Sequence, residues 1–425
     1  MTVVAIVIFT VVYILIASER INRVAAALGG AGLMLALGVV GADDAFFSQD
    51  TGIDWNVIFL LFGMMVIVGV LRQTGIFEYV AIWAAKRAGG RPFRVMVLLC
   101  LITAVASAAL DNVTTVLLIA PVTLLVCEQI GVRPVPFLIA EALASNIGGT
   151  ATLVGDPPNL IVASRSGLGF NDFLVNMGPV VLLMLLAFVG LARILFRKDF
   201  VADPEQVDRV MQLDEREAIE NPSLLWRSLV VLALVLAAFS LHGVLHLAPS
   251  VVALLGAGVL VAISRLRPES YLAEVEWATL LFFAGLFILV GSLVKTGAIA
   301  RLAAAVGGVA GDSVPAAMML ILWGSAALSA LVDNIPFVAT MSPVVDQLVR
   351  GNGPLGGQNG LWWALVLGAD LGGNATAIGA SANVVVAGIA KRSGHPISFW
   401  EFTKYGSLVA VVTLGIATPY LLLRY

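Results

Sequence analysis

Four short polar clusters interrupt otherwise apolar stretches of this 425-residue chain, and they form two matching pairs. The first pair is Ser107-Ala-Ala-Leu-Asp111-Asn112-Val-Thr114-Thr115 and Ser329-Ala-Leu-Val-Asp333-Asn334-Ile-Pro336. Long aliphatic runs flank each, which places Asp111 and Asp333 at depth in a bilayer, where an unpaired carboxylate costs about 2.5–3.5 kcal/mol on insertion scales. The second pair is Ser145-Asn146-Ile-Gly148-Gly149-Thr150-Ala-Thr152-Leu-Val-Gly155-Asp156-Pro157-Pro158-Asn159 and Asp370-Leu-Gly372-Gly373-Asn374-Ala-Thr376-Ala-Ile-Gly379-Ala-Ser381-Ala-Asn383. Paired glycines and consecutive prolines cannot continue a helix, so these spans must unwind midway. Unwound backbone is tolerated in a membrane where it lines a cavity, and the half-helix ends there offer partial positive and negative charge.

The chemistry such groups can do is reversible binding of small polar solutes or ions, with protons exchanged at carboxylates. The candidate solute-binding residues are Asn112, Thr114, Thr115, Asn146, Gly148, Gly149, Thr150, Thr152, Asn159, Asn334, Gly372, Gly373, Asn374, Thr376, Ser381 and Asn383. The candidate proton-coupling residues are Asp111, Asp333, Asp370 and Asp156. Plainer roles also fit: the glycines suit close helix contact, Asp111 and Asp333 suit a structural hydrogen bond to the opposite segment, and Asp156 suits an N-cap.

Other residues carry less. His242 and His246 stand at i,i+4 spacing without an acidic partner, so they make a poor metal site. Cys100 and Cys127 are too few for thiolate ligation of a soft metalloid and read as inert buried thiols. Glu128 and Glu141 fall near predicted helix ends and are expected at the interface, and the tryptophans mostly border spans as interfacial anchors. No paired catalytic carboxylates, His-Ser-Asp set or metal cage is visible, which argues against an enzyme.

The elements that must hold these clusters follow from composition. Sixty per cent of residues are AVILMFWYC and 12% are charged, with a mean hydropathy of +1.00. Those values exclude an ordinary soluble domain and describe a polytopic membrane protein. A formal charge of −3 without a long basic run gives nucleic acid no surface. Met1 leads directly into an apolar run, read as a first spanning helix rather than a secretory signal.

Twelve of the 51 charged residues crowd into the 26 positions from Arg197 to Pro222, a solvated and partly helical connector. It separates two halves that repeat. An offset of 222 aligns Trp55 with Trp277, Gly63 with Gly285, Ser107 with Ser329, and Asp111-Asn112 with Asp333-Asn334; an offset of 224 aligns Gly148-Gly149 with Gly372-Gly373 and Asn159 with Asn383. Three divisions result: a first inverted repeat (1–196), a charged connector (197–226) and a second inverted repeat (227–425). Spans are predicted at 2–17, 22–41, 55–72, 136–165 (interrupted) and 173–196, then 227–245, 249–265, 277–294, 360–390 (interrupted) and 402–422. Helical hairpins at 92–130 and 313–350 each enter and leave by one side. With both termini outside, 19 of the 24 Lys and Arg residues fall inside, and an odd number of spans per half inverts the second half. Duplication with matching broken segments is the pattern of secondary transporters.

The stretches SAALDNVTTVLLIAPVTLLVCEQ, NIGGTATLVGDPPNLIVAS, EWATLLFFAGLFILV, LVDNIPFVATMSPVV and LGGNATAIGASANVVVAGIA resemble the ion transporter superfamily. The resemblance is to the branch holding bacterial arsenite permeases (ArsB-type) and the melanosomal P protein, over roughly residues 20–420. It implies an all-α polytopic membrane protein of two inverted-topology repeats, each with five spans, a re-entrant hairpin and a broken helix, working by elevator-type alternating access. It implies hairpin tips at Asp111-Asn112 and Asp333-Asn334 and binding loops at Asn146 to Asn159 and Asp370 to Asn383. Dicarboxylate carriers of the superfamily bear Ser-Asn-Thr at those tips; aspartate replaces the serine here in both halves, and fixed negative charge repels anionic cargo.

The expected activity is therefore export of arsenite or antimonite, as the neutral trihydroxide, in exchange for protons across a bacterial inner membrane. A sodium/proton antiporter, a P-protein-like regulator of anions or pH, and a channel are the alternatives. No cofactor is called for. The resemblance implies a homodimer through the scaffold. The connector faces the side where a soluble ATPase subunit would dock, although a plain solvated linker is the preferred reading of it.

Overall fold

The computed structural model describes residues 1–18, 20–200, 214–351 and 353–425. The described residues form helices, turns and loops and contain no strand. Seven helices are long and apolar enough to cross a membrane, and the pair Ala298–Ala310 and Val314–Ser329, bent by 119°, qualifies when taken together. The chain is thus a multi-pass, all-helical membrane protein.

Each half lays down the same order of elements: two helices, a third long span, an amphipathic helix, a hairpin, a broken span and a final long helix. In the first half these are Thr2–Ala17, Arg23–Ala36, Trp55–Arg72, Ile76–Arg87, the hairpin Pro92–Ala109 with Asn112–Ile130, the broken span Pro134–Gly149 with Pro157–Ser166, and Phe170–Leu195. In the second they are Pro222–Ser240, Pro249–Ser264, Trp277–Lys295, Ala298–Ala310, the hairpin Val314–Ser329 with Asn334–Arg350, the broken span Gly360–Gly373 with Ser381–Arg392, and Phe399–Arg424. The helices Ile76–Arg87 and Ala298–Ala310 were not among the expected spans, because a short helix with one apolar face averages to a modest hydropathy. A further short helix, Ala42–Phe47, occupies the acidic 42–54 loop.

The halves interlock. The third span of each packs on the second helix of the other, Trp55–Arg72 against Pro249–Ser264 and Trp277–Lys295 against Arg23–Ala36. Gly63 and Gly285 permit both crossings, since a Cβ at either would lie 2.8 or 2.9 Å from the backbone of Ala253 or Ala27. The hairpins and broken spans make a second group, closed at the back by Phe170–Leu195 against Phe399–Arg424.

Inversion is visible in the ion pairs. Lys86 meets Glu215, Arg72 meets Glu274, and Arg133 meets Asp199 and Glu401, which places the base of the first hairpin on the face that carries the connector. The second hairpin ends at Arg350, whose guanidinium donates to the carbonyl of Arg165 on the opposite face. Thr2 bonds to Thr296 and Tyr425 to Asn176, so both chain ends also lie opposite the connector. Of the connector itself, 3-10 turns at Arg197–Asp199 and Glu215–Ala218 are described; the helical expectation for 201–213 lies outside the described residues.

Three expectations are corrected. Glu141 is not interfacial but 2% exposed at the middle of Pro134–Gly149, because that half-helix is enclosed on every side. Trp362 and Trp363 are likewise buried beneath the last long helix rather than anchoring at an interface. Arg23, counted with the solvated cations, turns inward to Ser381 and Asp333. His242 is half-buried and His246 exposed, and among the described residues no group of His, Cys, Asp and Glu is placed to hold a metal.

Candidate functional site: four helix breaks around Asp156 and Asp370

Both hairpin tips and both helix breaks converge at one point. Each hairpin turns at its aspartate, which caps the returning arm: the Thr114 amide donates to Asp111 Oδ1 at 2.7 Å and the Ile335 amide to Asp333 Oδ1 at 3.0 Å. That satisfies helix N-terminal donors that the helix itself cannot. The next residue of each tip, Asn112 or Asn334, is thereby aimed at the centre.

The breaks are built alike in the two halves. Asn159 Nδ2 donates to the carbonyls of Gly149 (3.3 Å) and Thr152 (2.9 Å), and Asn383 Nδ2 to those of Gly373 and Thr376, both at 2.9 Å. Each carboxamide thus replaces the helical bonds lost at the break. Thr152 and Thr376 donate to Ala108 and Ala330 of their hairpins, and Ser107 and Ser329 donate back to the carbonyls of Ser145 and Ala369. A Cβ on Gly148 would stand 2.3 Å from the Ala104 carbonyl oxygen, and one on Gly372 2.5 Å from Ala326, so glycine there lets hairpin and broken span touch. A Cβ on Gly149 would stand 2.4 Å from the Gly155 carbonyl oxygen and one on Gly373 2.9 Å from that of Gly379, across their own loops.

At the centre, Asn112 Nδ2 donates to Asp156 Oδ2 at 2.8 Å, and Asn334 Nδ2 reaches both Asp156 oxygens at 3.3 and 3.4 Å. Asp156 occupies the N-cap position of Pro157–Ser166 without bonding that helix's amides; its carboxylate joins the two hairpin tips instead. Asn146 accepts from Asn112 at 3.1 Å and donates to Asn374 and Asn383 at 2.9 and 3.0 Å, linking the halves. Asp370 is fully buried, and neither of its oxygens has a hydrogen-bond partner. Thr150 stands beside it with its hydroxyl committed to the Asn146 carbonyl, as does Asn159 with its amide committed to its own loop. Asn112 Oδ1, Asn159 Oδ1, Thr115 Oγ1 and Asn374 Nδ2 are also buried and unpartnered.

The remaining candidates are peripheral. Thr114 faces Arg72, Glu274 and Glu276. Asp333 and Ser381 line an open cavity of about 310 Å³ on the connector face, where Arg23 Nη1 lies 2.9 Å from Ser381 Oγ and 3.6 Å from Asp333 Oδ2. Among the described residues no cation pairs with Asp111, so the tips differ in charge although both carry Asp-Asn. Arg23 escaped sequence reasoning because a basic residue at a span end is ordinarily solvated. A second polar cavity, about 260 Å³, opens on the opposite face between Asp50, Asp54, Arg165 and Arg350.

The arrangement gathers the partial charges of four helix ends and two carboxylates, acceptors for cations or protons, at one point. Comparison with known proteins agrees with a transport role. The chain is 57% identical over its whole length to an uncharacterized transporter of Mycobacterium bovis, covering 99% of that protein, and 55% identical to the 46 kDa membrane protein of Mycobacterium leprae, again over 100% and 99%. It is 35% identical to the P protein of Sus scrofa, over 99% of this chain and 59% of that longer protein. The YdaH transporter of Alcanivorax borkumensis, described as having an unusual topology, shares the fold with a TM-score of 0.57 at 15% identity, over 94% and 96% of the chains. The citrate transporter family model matches residues 13–368. Relatives of this kind are transporters rather than enzymes, and this chain is a membrane transporter that belongs to the citrate transporter (CitMHS) family.

Proposed function

We propose that the chain is a proton-coupled exporter of a small neutral polyhydroxyl solute, arsenite or antimonite in its trihydroxide form, with Asp156 and Asp370 as the coupling carboxylates. One observation carries this reading: two buried aspartates at the centre stand among carboxamides and hydroxyls, and among the described residues no Lys or Arg pairs with either. Charge buried in this way must be neutralised by a proton or a cation. A trihydroxide presents three O–H donors, which suits a centre with unpartnered acceptors on Asp370, Asn112 and Asn159. Asp111 and Asp333, capping their hairpin arms, serve structure first. The divisions 1–196, 197–226 and 227–425 act as two inverted repeats and a linker, and the proposed orientation puts the connector in the cytoplasm and both termini outside the inner membrane.

A second reading rests on Arg23. The cavity it shares with Ser381 and the N-terminus of Ser381–Arg392 suits an organic carboxylate, as the family's description suggests. Everted vesicles separate the two. Arsenite accumulation driven by a pH gradient without sodium supports the first; citrate accumulation without arsenite uptake supports the second and overturns the first.

A further inference from the structure

Glu141 is the buried acid that the central site does not use. It sits midway along Pro134–Gly149, enclosed by both arms of the first hairpin. Seven residues separate it from the connector-face end of that half-helix and five from Asn146, about 10 Å and about 7.5 Å of rise respectively. Thr123 donates to Oε1; Oε2 is buried with no hydrogen-bond partner, and no Lys, Arg or His among the described residues pairs with it. The titratable groups that face it are two buried thiols, Cys100 on Pro92–Ala109 and Cys127 on Asn112–Ile130. The other helices packed on this half-helix, Phe170–Leu195, Gly360–Gly373, Ser381–Arg392 and Phe399–Arg424, bring no charged group that acts on it.

A polar stripe joins this acid to the centre. Glu141 and Ser145 share a face at i,i+4, as do Thr103 and Ser107 on one hairpin arm; Thr123, Thr115 and Asn112 line up on the other. Three cross-helix bonds hold the faces together: Thr123 to Glu141, Ser107 to the Ser145 carbonyl and Ser145 to the Asn112 carbonyl. Within that stripe the hydroxyls of Thr103 and Thr115 are buried and unpartnered. The second half has no such route: the positions equivalent to Thr115, Thr123 and Glu141 are Phe337, Val345 and Leu365.

We infer that Glu141 is a second proton-binding site, lying between the Asp156–Asp370 centre and the connector face, and that the hydroxyl stripe of the first hairpin is the route by which protons reach it. Thr123 donates to Glu141 and keeps lone pairs free to accept, and the unpartnered Thr103 and Thr115 hydroxyls are free to rotate, so water entering along this face would complete a relay in which each hydroxyl gives up one proton as it takes another. The asymmetry gives the two faces different proton access although the backbones of the repeats match. Its purpose rests on the proton-coupled reading above; the site itself does not.

The test is infrared difference spectroscopy of the full chain in lipid nanodiscs, titrated with pH and transferred to D₂O. The expected result is a carboxylic acid C=O band that is lost on alkalinisation, shifts in D₂O, is absent from Glu141→Gln and is displaced in Glu141→Asp, which guards against misfolding of a single variant. Thr115→Val should slow its deuterium exchange several-fold. Identical titrations of wild type and Glu141→Gln would overturn the inference, as would a Glu141 band that never exchanges. If the band behaves as expected and arsenite moves no protons, the antiport reading falls and the site stands.

Discussion

Asn146 and Asp370 occupy equivalent places in the two halves, 224 residues apart, and meet the centre in opposite ways. Asn146 is saturated, accepting from Asn112 and donating to Asn374 and Asn383, while Asp370 has both oxygens buried and unpartnered. Symmetry of backbone with asymmetry of charge gives one half a saturated joint and the other a bare carboxylate. Under the proposed exchange mechanism that carboxylate would be loaded without unfastening the interface that holds the halves together.

Asp370→Asn should therefore separate coupling from folding. An amide replaces a group that makes no hydrogen bond, so the variant should fold with a melting temperature near wild type while arsenite-driven proton movement falls at least about tenfold. Fluorescence of a pH dye inside proteoliposomes reads the second quantity. Unchanged coupling would remove Asp370 from the mechanism.

Asp156→Asn should cost stability as well. Asparagine keeps one acceptor oxygen and turns the other into an amide donor, so Asn112 and Asn334 would compete for a single acceptor, at about 1–3 kcal/mol for the donor left unsatisfied. Thermal unfolding in detergent, compared with Asp370→Asn, should show the larger loss here.

Arg23→Gln discriminates between the two cargo readings. Its pair with Asp333 is partly solvated and contributes little to stability, about 0–1 kcal/mol. For neutral trihydroxide cargo the KM should stay within about threefold of wild type, whereas a carboxylate cargo held by Arg23 should lose at least about tenfold in affinity, as removal of a charged hydrogen bond does. Concentration-dependent uptake by vesicles decides it.

Gly148→Ala and Gly372→Ala should each destabilise the chain by about 1–3 kcal/mol, since the new methyl meets hairpin backbone with nowhere to move. Gly190→Ala, in an exposed helix where a Cβ meets nothing, should be neutral or slightly stabilising. Melting temperatures of the three check the contrast.

Acidification should release the connector strap. The hydrogen bond from Lys86 holds the Glu215 carboxyl below its usual range. A carboxylate depressed in the folded state contributes its contact above its unfolded value and loses it as pH falls through the folded one. The protection of Ile76–Arg87 amides, measured relative to their intrinsic exchange rates, should accordingly fall as pH drops below the ordinary glutamate range, and Glu215→Gln should abolish the dependence.

Much of this architecture follows from local chemistry that is written in the chain. Long uncharged runs fix the spans, Gly-Gly and Pro-Pro force the breaks, and the 222 and 224 offsets force the halves to adopt the same elements, because identical local sequence in the same solvent meets identical backbone constraints. The hairpin tips were legible for the same reason: a capped aspartate between two apolar arms has few other conformations. Partnership was not legible. Nothing in the order of residues says that Asn112 and Asn334 share Asp156, that Asp370 is left bare, that Arg23 turns in to Asp333, or that Glu141 lies enclosed rather than at an interface. Those contacts join residues from 18 positions apart, Thr123 to Glu141, to 310 apart, Arg23 to Asp333. Whether a polar group inside a membrane is paired, bare or wet depends on which distant helix arrives beside it, and only the tertiary structure decides that.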